Sequence, residues 1–101
     1  MHGVLHVYVM LRIQRSSGSR VLLTLSGHIE VEDAAELERL VSLETPGEEV
    51  ALDLRDVTLV DRDAVKFLAR LEAGKVKLEN CPAYIMGWID TERGRASRPE
   101  G

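Results

Sequence analysis

Residues 50–74, VALDLRDVTLVDRDAVKFLARLEAG, decide the fold because they join a buried strand to an amphipathic helix. The run at residues 50–54 is apolar apart from one acid, which is typical of a strand covered on both faces. A short acidic crossing and a second apolar run at residues 57–60 lead into the helix. Apolar residues then recur at three- and four-residue spacing, at Ala64, Val65, Phe67, Leu68 and Leu71. We therefore predict a central strand and a helix that packs on the sheet and ends at Gly74.

The start of this helix is strongly charged. Asp61 is predicted to be the N-cap, since its carboxylate can accept hydrogen bonds from the first-turn amides and suits the positive end of the helix dipole. Arg62, Asp63 and Lys66 fall on the face opposite the apolar stripe. These residues form either a docking surface or a solvated helix end. In the second case Asp63 and Lys66 form an ion pair within the helix, and such a pair stabilises a helix by about 0.2–0.5 kcal/mol.

The residues before this stretch predict a hairpin and a helix. Apolar residues alternate along residues 5–14 and again along residues 20–26, and a turn cluster, RSSGS, separates the two runs. This pattern predicts two antiparallel strands. Asp33 then precedes an apolar stripe that ends near Leu43, so we predict a first helix with Asp33 as its N-cap.

The residues after Gly74 predict one more strand and one more helix. Val76 and Leu78 alternate with lysines, which is typical of a short edge strand, and a normal crossover makes this strand parallel to the central one. Pro82 opens the last helix, which we expect to dock through Ile85, Trp88 and Ile89. The predicted fold is α/β (α+β mixed sheet), in the order β-β-α-β-α-β-α with the helices mainly on one face. One domain covers residues 1–92, and residues 93–101 are predicted to be a disordered tail.

Composition narrows the classes of function. Thirteen basic and seventeen acidic residues give a net charge of −4, and no basic cluster indicates nucleic-acid binding. The single cysteine, Cys81, excludes an internal disulfide and a Cys-rich zinc site, which favours a reducing compartment. The apolar run at residues 4–11 has no basic segment before it and is too short to span a membrane. We therefore expect a cytoplasmic protein that binds neither nucleic acid nor membranes.

Two motifs resemble the STAS family, named after sulphate transporters and anti-sigma-factor antagonists. They are LSGHI at residues 25–29, before an Ala-Leu helix, and ALDLRDVTLVDRDAV at residues 51–65. In the antagonists the second-helix loop typically has the sequence Asp-Ser-Ser-Gly-Leu, and a partner kinase phosphorylates the second serine. Asp61 matches the aspartate, Arg62 the first serine, Asp63 the phosphorylated serine, Ala64 the glycine and Val65 the leucine. The chain thus resembles a short form of the family that lacks the phosphorylatable serine.

The resemblance implies a non-catalytic signalling module that regulates transcription by binding proteins. Its implied partners are an anti-sigma factor, a switch-type kinase or other STAS proteins. The implied partner-binding residues are Asp61, Arg62, Asp63, Ala64 and Lys66. Asp63 supplies a permanent negative charge where the family adds a phosphate of about −1.5 to −2, so we expect no serine phosphorylation at this loop.

A second hypothesis is a small-molecule sensor or carrier. Some STAS domains are thought to bind nucleotides or lipids, and the cleft between the hairpin and the second helix is the expected place. Homodimerisation is a further alternative, because the edge strand of the hairpin is unpaired and Tyr8 and Met10 lie on its outer face.

Other chemistry is expected to be absent. A magnesium or acyl-phosphate site is one interpretation of Asp61 and Asp63 with Asp53 and Asp56 nearby in the sequence. The sequence has no phosphate-binding loop and no nucleophile–base constellation to support it. His2, His6 and His28 match no metal-ligand spacing and are expected to be surface histidines. Cys81 is expected to be a small buried hydrophobe. We therefore predict no catalytic residue, no metal and no cofactor.

Overall fold

A computed structural model of the chain describes the backbone of residues 3–7 and 10–97 and the side chains of residues 10–94. The described residues form a sheet in the spatial order β1-β2-β3-β4-β5. The strands are β1 (Gly3–Val7), β2 (Leu11–Ser17), β3 (Val21–Ile29), β4 (Val50–Val60) and β5 (Lys77–Glu79). The β1–β2 and β2–β3 pairs are antiparallel, and the β3–β4 and β4–β5 pairs are parallel. The predicted mixed α/β sheet is confirmed, as is the β2–β3 hairpin.

Three helices are described, and they pack side by side with α2 in the middle. They are α1 (Val31–Ser42), α2 (Arg62–Ala73) and α3 (Ala83–Ser97). α2 contacts α1 on one side and α3 on the other. None of the helices in the described ranges is both long and apolar enough to cross a bilayer.

The core lies between the sheet and this helical layer. Alternate residues of β3, such as Leu23 and Leu25, are buried together with Leu52 and Leu54 of β4. The predicted stripe of α2 faces them, with Leu68 fully buried. Burying one such side chain contributes about 1.5–3 kcal/mol, so α2 is held firmly by its apolar face. Gly74 ends α2 as predicted.

The first predicted strand is in fact two strands. Residues 5–14 were predicted to be continuous, but the chain reverses between β1 and β2, and Val7 lies opposite Arg12 in the register. Tyr8 and Val9, in the connection, lie outside the described residues. Aliphatic and aromatic residues fill this reversal, and their high strand propensity conceals it in the sequence. The sheet edge on this side is therefore β1, and the exposed Met10 follows it.

β4 differs from its prediction. It runs unbroken through the predicted acidic crossing, because Asp56 pairs with Ser26 and Val57 with Gly27. Register shifts after Thr24 and after Gly27 absorb the mismatch between β3 and β4.

The last helix is longer than predicted and is anchored differently. Ile85 and Ile89 are fully buried, but Trp88 is 40% exposed and does not anchor the helix as predicted. α3 continues to Ser97, so the predicted tail at residues 93–101 includes the last helical residues, and residues 98–101 lie outside the described part. Arg93 forms an ion pair with Glu72 of α2, which ties this part of α3 down.

Candidate functional site

The parallel strands β3 and β4 end at the same edge of the sheet, and a helix begins directly after each. Ile29 pairs with Val60, the last residues of the two strands. The backbone N–H of Asp61 donates to the carbonyl oxygen of Ile29 at 2.9 Å. The helix N-caps, Glu30 for α1 and Asp61 for α2, are therefore held side by side.

The N-terminus of α1 is capped by side chains of its own first turn and N-cap. Glu30 is the N-cap, not Asp33 as predicted, and Asp33 is the third residue of the helix. The Asp33 carboxylate accepts a hydrogen bond from the Glu30 backbone N–H at 3.0 Å. The two residues form a capping box, and Asp33 is 8% exposed. Asp33 was predicted to be the N-cap before the first turn. It instead lies within the first turn, three residues after the N-cap Glu30, and caps the helix from there.

The start of α2 is different. Asp61 is the N-cap as predicted, but its side chain makes no capping hydrogen bond to the described first turn of α2. Its Oδ1 instead lies 2.7 Å from Nε2 of His28, at the end of β3. The side chains of His28 and Asp61 are 20% and 41% exposed. The Asp61 carboxylate therefore bonds to the imidazole of His28 on the neighbouring strand instead of, as was predicted, to the first-turn amides of α2.

His28 is placed by a tight contact with the preceding connection. Its backbone N–H donates to the carbonyl oxygen of Met10 at 2.8 Å. The adjacent Gly27 has φ +103°, and a Cβ at this position would lie 2.3 Å from the same Met10 oxygen. Only glycine fits this close approach without strain. Gly27 belongs to the LSGHI motif, but this role was not predicted from the sequence.

The charged first turn of α2 is open to solvent. Arg62, Asp63 and Lys66 are exposed, and Lys66 Nζ lies 3.9 Å from Asp63 Oδ1. Ala64 is fully buried against the core. Of the predicted partner-binding residues, Arg62, Asp63 and Lys66 are therefore available to a partner, Asp61 is half-buried beside His28, and the Ala64 side chain faces inward.

An exposed aromatic pair lies beside this turn and was not predicted from the sequence. Trp88 and Tyr84 of α3 are 40% and 42% exposed and pack edge to face with ring centres 5.8 Å apart. The Tyr84 hydroxyl donates to the carbonyl oxygen of Thr58 at 3.1 Å. Trp88 lines a shallow hollow together with Arg62 and residues of α2 and α3. The available signal was the spacing of Tyr84 and Trp88, which places both rings on one helix face.

Another hollow, of about 260 Å³, lies between α2 and α3. It is lined by Lys66, Ala69, Arg70, Ala73, Glu92 and Arg93. Leu25 of the hairpin and Leu68 of α2 are both fully buried in the core, and the hollow described here lies on the α3 side of α2.

The structure does not bring Asp53 or Asp56 to the start of α2. Both lie within β4, and eight extended residues place Asp53 roughly 26 Å from Asp61. Asp53 accepts a hydrogen bond from the Arg55 backbone N–H at 3.0 Å. The four-aspartate magnesium or acyl-phosphate site considered above is therefore not assembled.

The remaining candidate residues divide into described and undescribed ones. Cys81 is half-buried against the core, and burial raises the pKa of its thiol, which suits the predicted small hydrophobe. His2 and the His6 side chain lie outside the described residues.

The chain was compared with known proteins. No protein-family model matches it, and the curated proteins contain no match either.

Proposed function

We propose that this chain is a non-catalytic, STAS-like interaction module that binds a protein partner through the start of α2. The observation that supports this is that the exposed Arg62 lines one hollow with Trp88, whose exposed ring packs against that of Tyr84. The exposed Asp63 follows Arg62 directly in the same helix turn. Protein interfaces concentrate their binding energy in Trp, Tyr and Arg side chains. Leu59, 49% exposed at the end of β4, adds an apolar residue near the same sheet edge.

The surface is rigid, which favours binding. α2 is fixed by its buried stripe, and α3 by Ile85 and Ile89. The bidentate contact of Arg70 with Glu38 joins α2 to α1, with both bonds at 3.1 Å. Groups that are already ordered lose less conformational entropy on binding.

The partner class follows from the resemblance to the antagonists. The proposed partners are an anti-sigma factor, a switch-type kinase or another STAS protein. Asp63, whose side chain is 75% exposed, would present a constant negative charge to the partner. The proposed interaction is therefore constitutive at this residue, with no phosphorylation step.

The test is affinity capture with purified wild-type chain and Asp63→Lys, followed by titration of any retained protein by calorimetry. Glu32→Lys is the matched control, because Glu32 is an exposed acid in the first turn of the neighbouring helix α1. We expect the partner to be lost with Asp63→Lys and with Trp88→Ala, and kept with Glu32→Lys. Equal binding by all variants would refute the proposed docking surface.

A second candidate function, a nucleotide or lipid sensor, is favoured by the hollow between α2 and α3. Its volume of about 260 Å³ lies just below the range of roughly 300–1,000 Å³ for ligand pockets. Ala69 and Ala73 supply apolar lining, and Lys66 and Arg70 supply positive charge. A nucleotide that raises Tm in the wild type but not in Ala69→Trp, which fills the hollow, would support this function. Unchanged Tm across a nucleotide and lipid panel would remove it.

A further inference from the structure

Three metal-ligating side chains converge at the edge where β3 and β4 end. They are His28, Glu30 and Asp61, and one ligand atom from each lies within 4.8 Å of the others. All three side chains are half-buried. From the sequence, His28 was grouped with His2 and His6, and Asp61 with other aspartates, so neither grouping predicted this cluster.

The backbone fixes the three donors independently of any ligand. His28 and Glu30 are two residues apart at the end of β3, so they project from the same side of the chain. Asp61 lies beside them because its N–H is bonded to the Ile29 carbonyl oxygen at 2.9 Å. The Gly27 contact with Met10 fixes the backbone on the other side of His28.

The charges of the cluster are unbalanced, unlike those of four other half-buried acids. Glu38, Glu44, Glu72 and Glu79 are each paired with an arginine. Within residues 10–94, Glu30 and Asp61 have no Lys or Arg in an ion pair, and their one basic neighbour is His28. Two carboxylates held this close repel each other unless a cation neutralises them.

We propose that His28, Glu30 and Asp61 bind one divalent transition-metal ion, with Zn²⁺ as the probe. An imidazole nitrogen favours zinc and its first-row neighbours over Mg²⁺ and Ca²⁺, which prefer oxygen ligands alone. Two carboxylates neutralise the charge of such an ion. Three protein ligands leave a coordination position for water or for a carboxylate of a binding partner.

The observed spacing between His28 and Asp61 requires only a small adjustment. Zinc–ligand bonds of about 2.0–2.2 Å place two ligands of a tetrahedral site roughly 3.4 Å apart. His28 Nε2 and Asp61 Oδ1 lie 2.7 Å apart and would separate by about 0.7 Å on metal binding. One Glu30 oxygen takes part in the capping box with Asp33, and a carboxylate has a second oxygen for the metal.

The metal would join the N-cap residues of two helices. Because Asp61 immediately precedes Arg62 and Asp63, the ion would fix the loop that opens the proposed docking surface. The metal site does not depend on that surface, and the two are tested with different variants.

The experiment is calorimetric titration of the full chain with ZnCl₂, together with the visible spectrum of the Co²⁺-substituted protein. We expect one site, a rise in Tm with Zn²⁺, and Co²⁺ bands without an intense sulfur charge-transfer band. His28→Gln and Glu30→Gln should each lower the affinity by about 100-fold or more, since loss of even an outer-shell partner costs 10–100-fold. Glu30→Gln is included in case His28→Gln fails to fold, which circular dichroism would show.

Two controls separate the site from adventitious binding. Glu32→Gln changes an exposed acid outside the cluster and should leave the affinity unchanged. His2→Gln/His6→Gln removes the other histidines of the chain and should also leave it unchanged. Absence of Zn²⁺ binding, binding unaffected by both His28→Gln and Glu30→Gln, or binding lost in the His2/His6 variant would each overturn the proposal.

Discussion

The two helices that begin at the same edge of the sheet start in different ways. At α1, Glu30 and Asp33 cap the helix with a box of local bonds. At α2, the N-cap carboxylate of Asp61 bonds to His28 on the neighbouring strand. The acid before an amphipathic stripe therefore predicts where a helix begins but not the partner of its carboxylate. The start of α1 is capped by local side chains. The start of α2, whose N-cap carboxylate bonds to the neighbouring strand, is exposed.

The two helix starts can be compared only if α1 and α2 are equally well anchored in the core. Truncating a core side chain of each helix tests this, and it has the largest expected effect on stability. Leu37 of α1 and Leu68 of α2 are both fully buried. Leu37→Ala and Leu68→Ala should each lower the free energy of unfolding by about 2–5 kcal/mol, through lost burial and a residual cavity. Urea unfolding monitored by circular dichroism measures this.

Leu43→Ala is the control for both truncations, because Leu43 is 68% exposed. It should change stability by less than about 0.5 kcal/mol. A small loss for Leu68→Ala alone would mean that α2 is loosely held, and its open start would then reflect poor anchoring instead of the His28 contact.

The second prediction breaks the backbone that positions His28. Gly27→Ala places a Cβ against the Met10 carbonyl oxygen at a residue with φ +103°. We expect a loss of about 1–3 kcal/mol, typical of a strained backbone position. Gly18→Ala is the control, because a Cβ there meets no atom within 4 Å. If both variants unfold at the same urea concentration, the close approach does not hold His28 in place.

The third prediction compares the two helix starts directly. Asp33→Ala removes a capping bond and should cost about 1 kcal/mol, within the range of 0.5–2 for capping residues. Asp61→Ala removes no capping bond to the described first turn, but it loses the partly exposed contact with His28. Exposed pairs contribute about 0.2–1 kcal/mol, so Asp61→Ala should cost less than Asp33→Ala in metal-free buffer. The reverse order would show that Asp61 caps α2 after all.

The smallest effect concerns the segment that follows α1 and depends on pH. Arg15 of β2 makes a bidentate contact with Glu44, with both bonds at 2.8 Å. The hydrogen bonds from Arg15 lower the pKa of Glu44. The pair therefore stabilises the fold above the unfolded pKa of about 4.3, and this contribution is lost as the pH falls through the lower folded value.

Glu44→Gln tests this prediction. Thermal unfolding between pH 7 and pH 3 should show a shallower loss of stability for the variant than for the wild type, with a difference below about 1 kcal/mol because the pair is partly exposed. Identical pH profiles would mean that α1 is not tied to the hairpin through this contact.

Local patterns in the sequence predicted much of the fold. The spacing of apolar residues in α2, its stop at Gly74 and the β2–β3 hairpin are confirmed because each depends on residues close in the chain. Failures arose where a contact between distant residues overrides a local preference. β4 continues through an acidic segment because β3 pairs with it, and Trp88 is exposed because Ile85 and Ile89 already anchor α3.

The candidate site was only half predictable. The charges at the start of α2 could be identified from the sequence, because a single helix turn displays them. The aromatic pair required the position of α3 relative to α2, which no local pattern specifies.

The sequence by itself determined the types of most elements, the apolar faces of α1 and α2, and the position of Asp61 before α2. The tertiary structure alone decided that His28, Glu30 and Asp61 meet. His28 and Asp61 are 33 residues apart, and their contact depends on the parallel register of β3 with β4. Hydrophobic periodicity indicates which face of a strand is buried, but the register between strands is set when the whole sheet and its helices pack together.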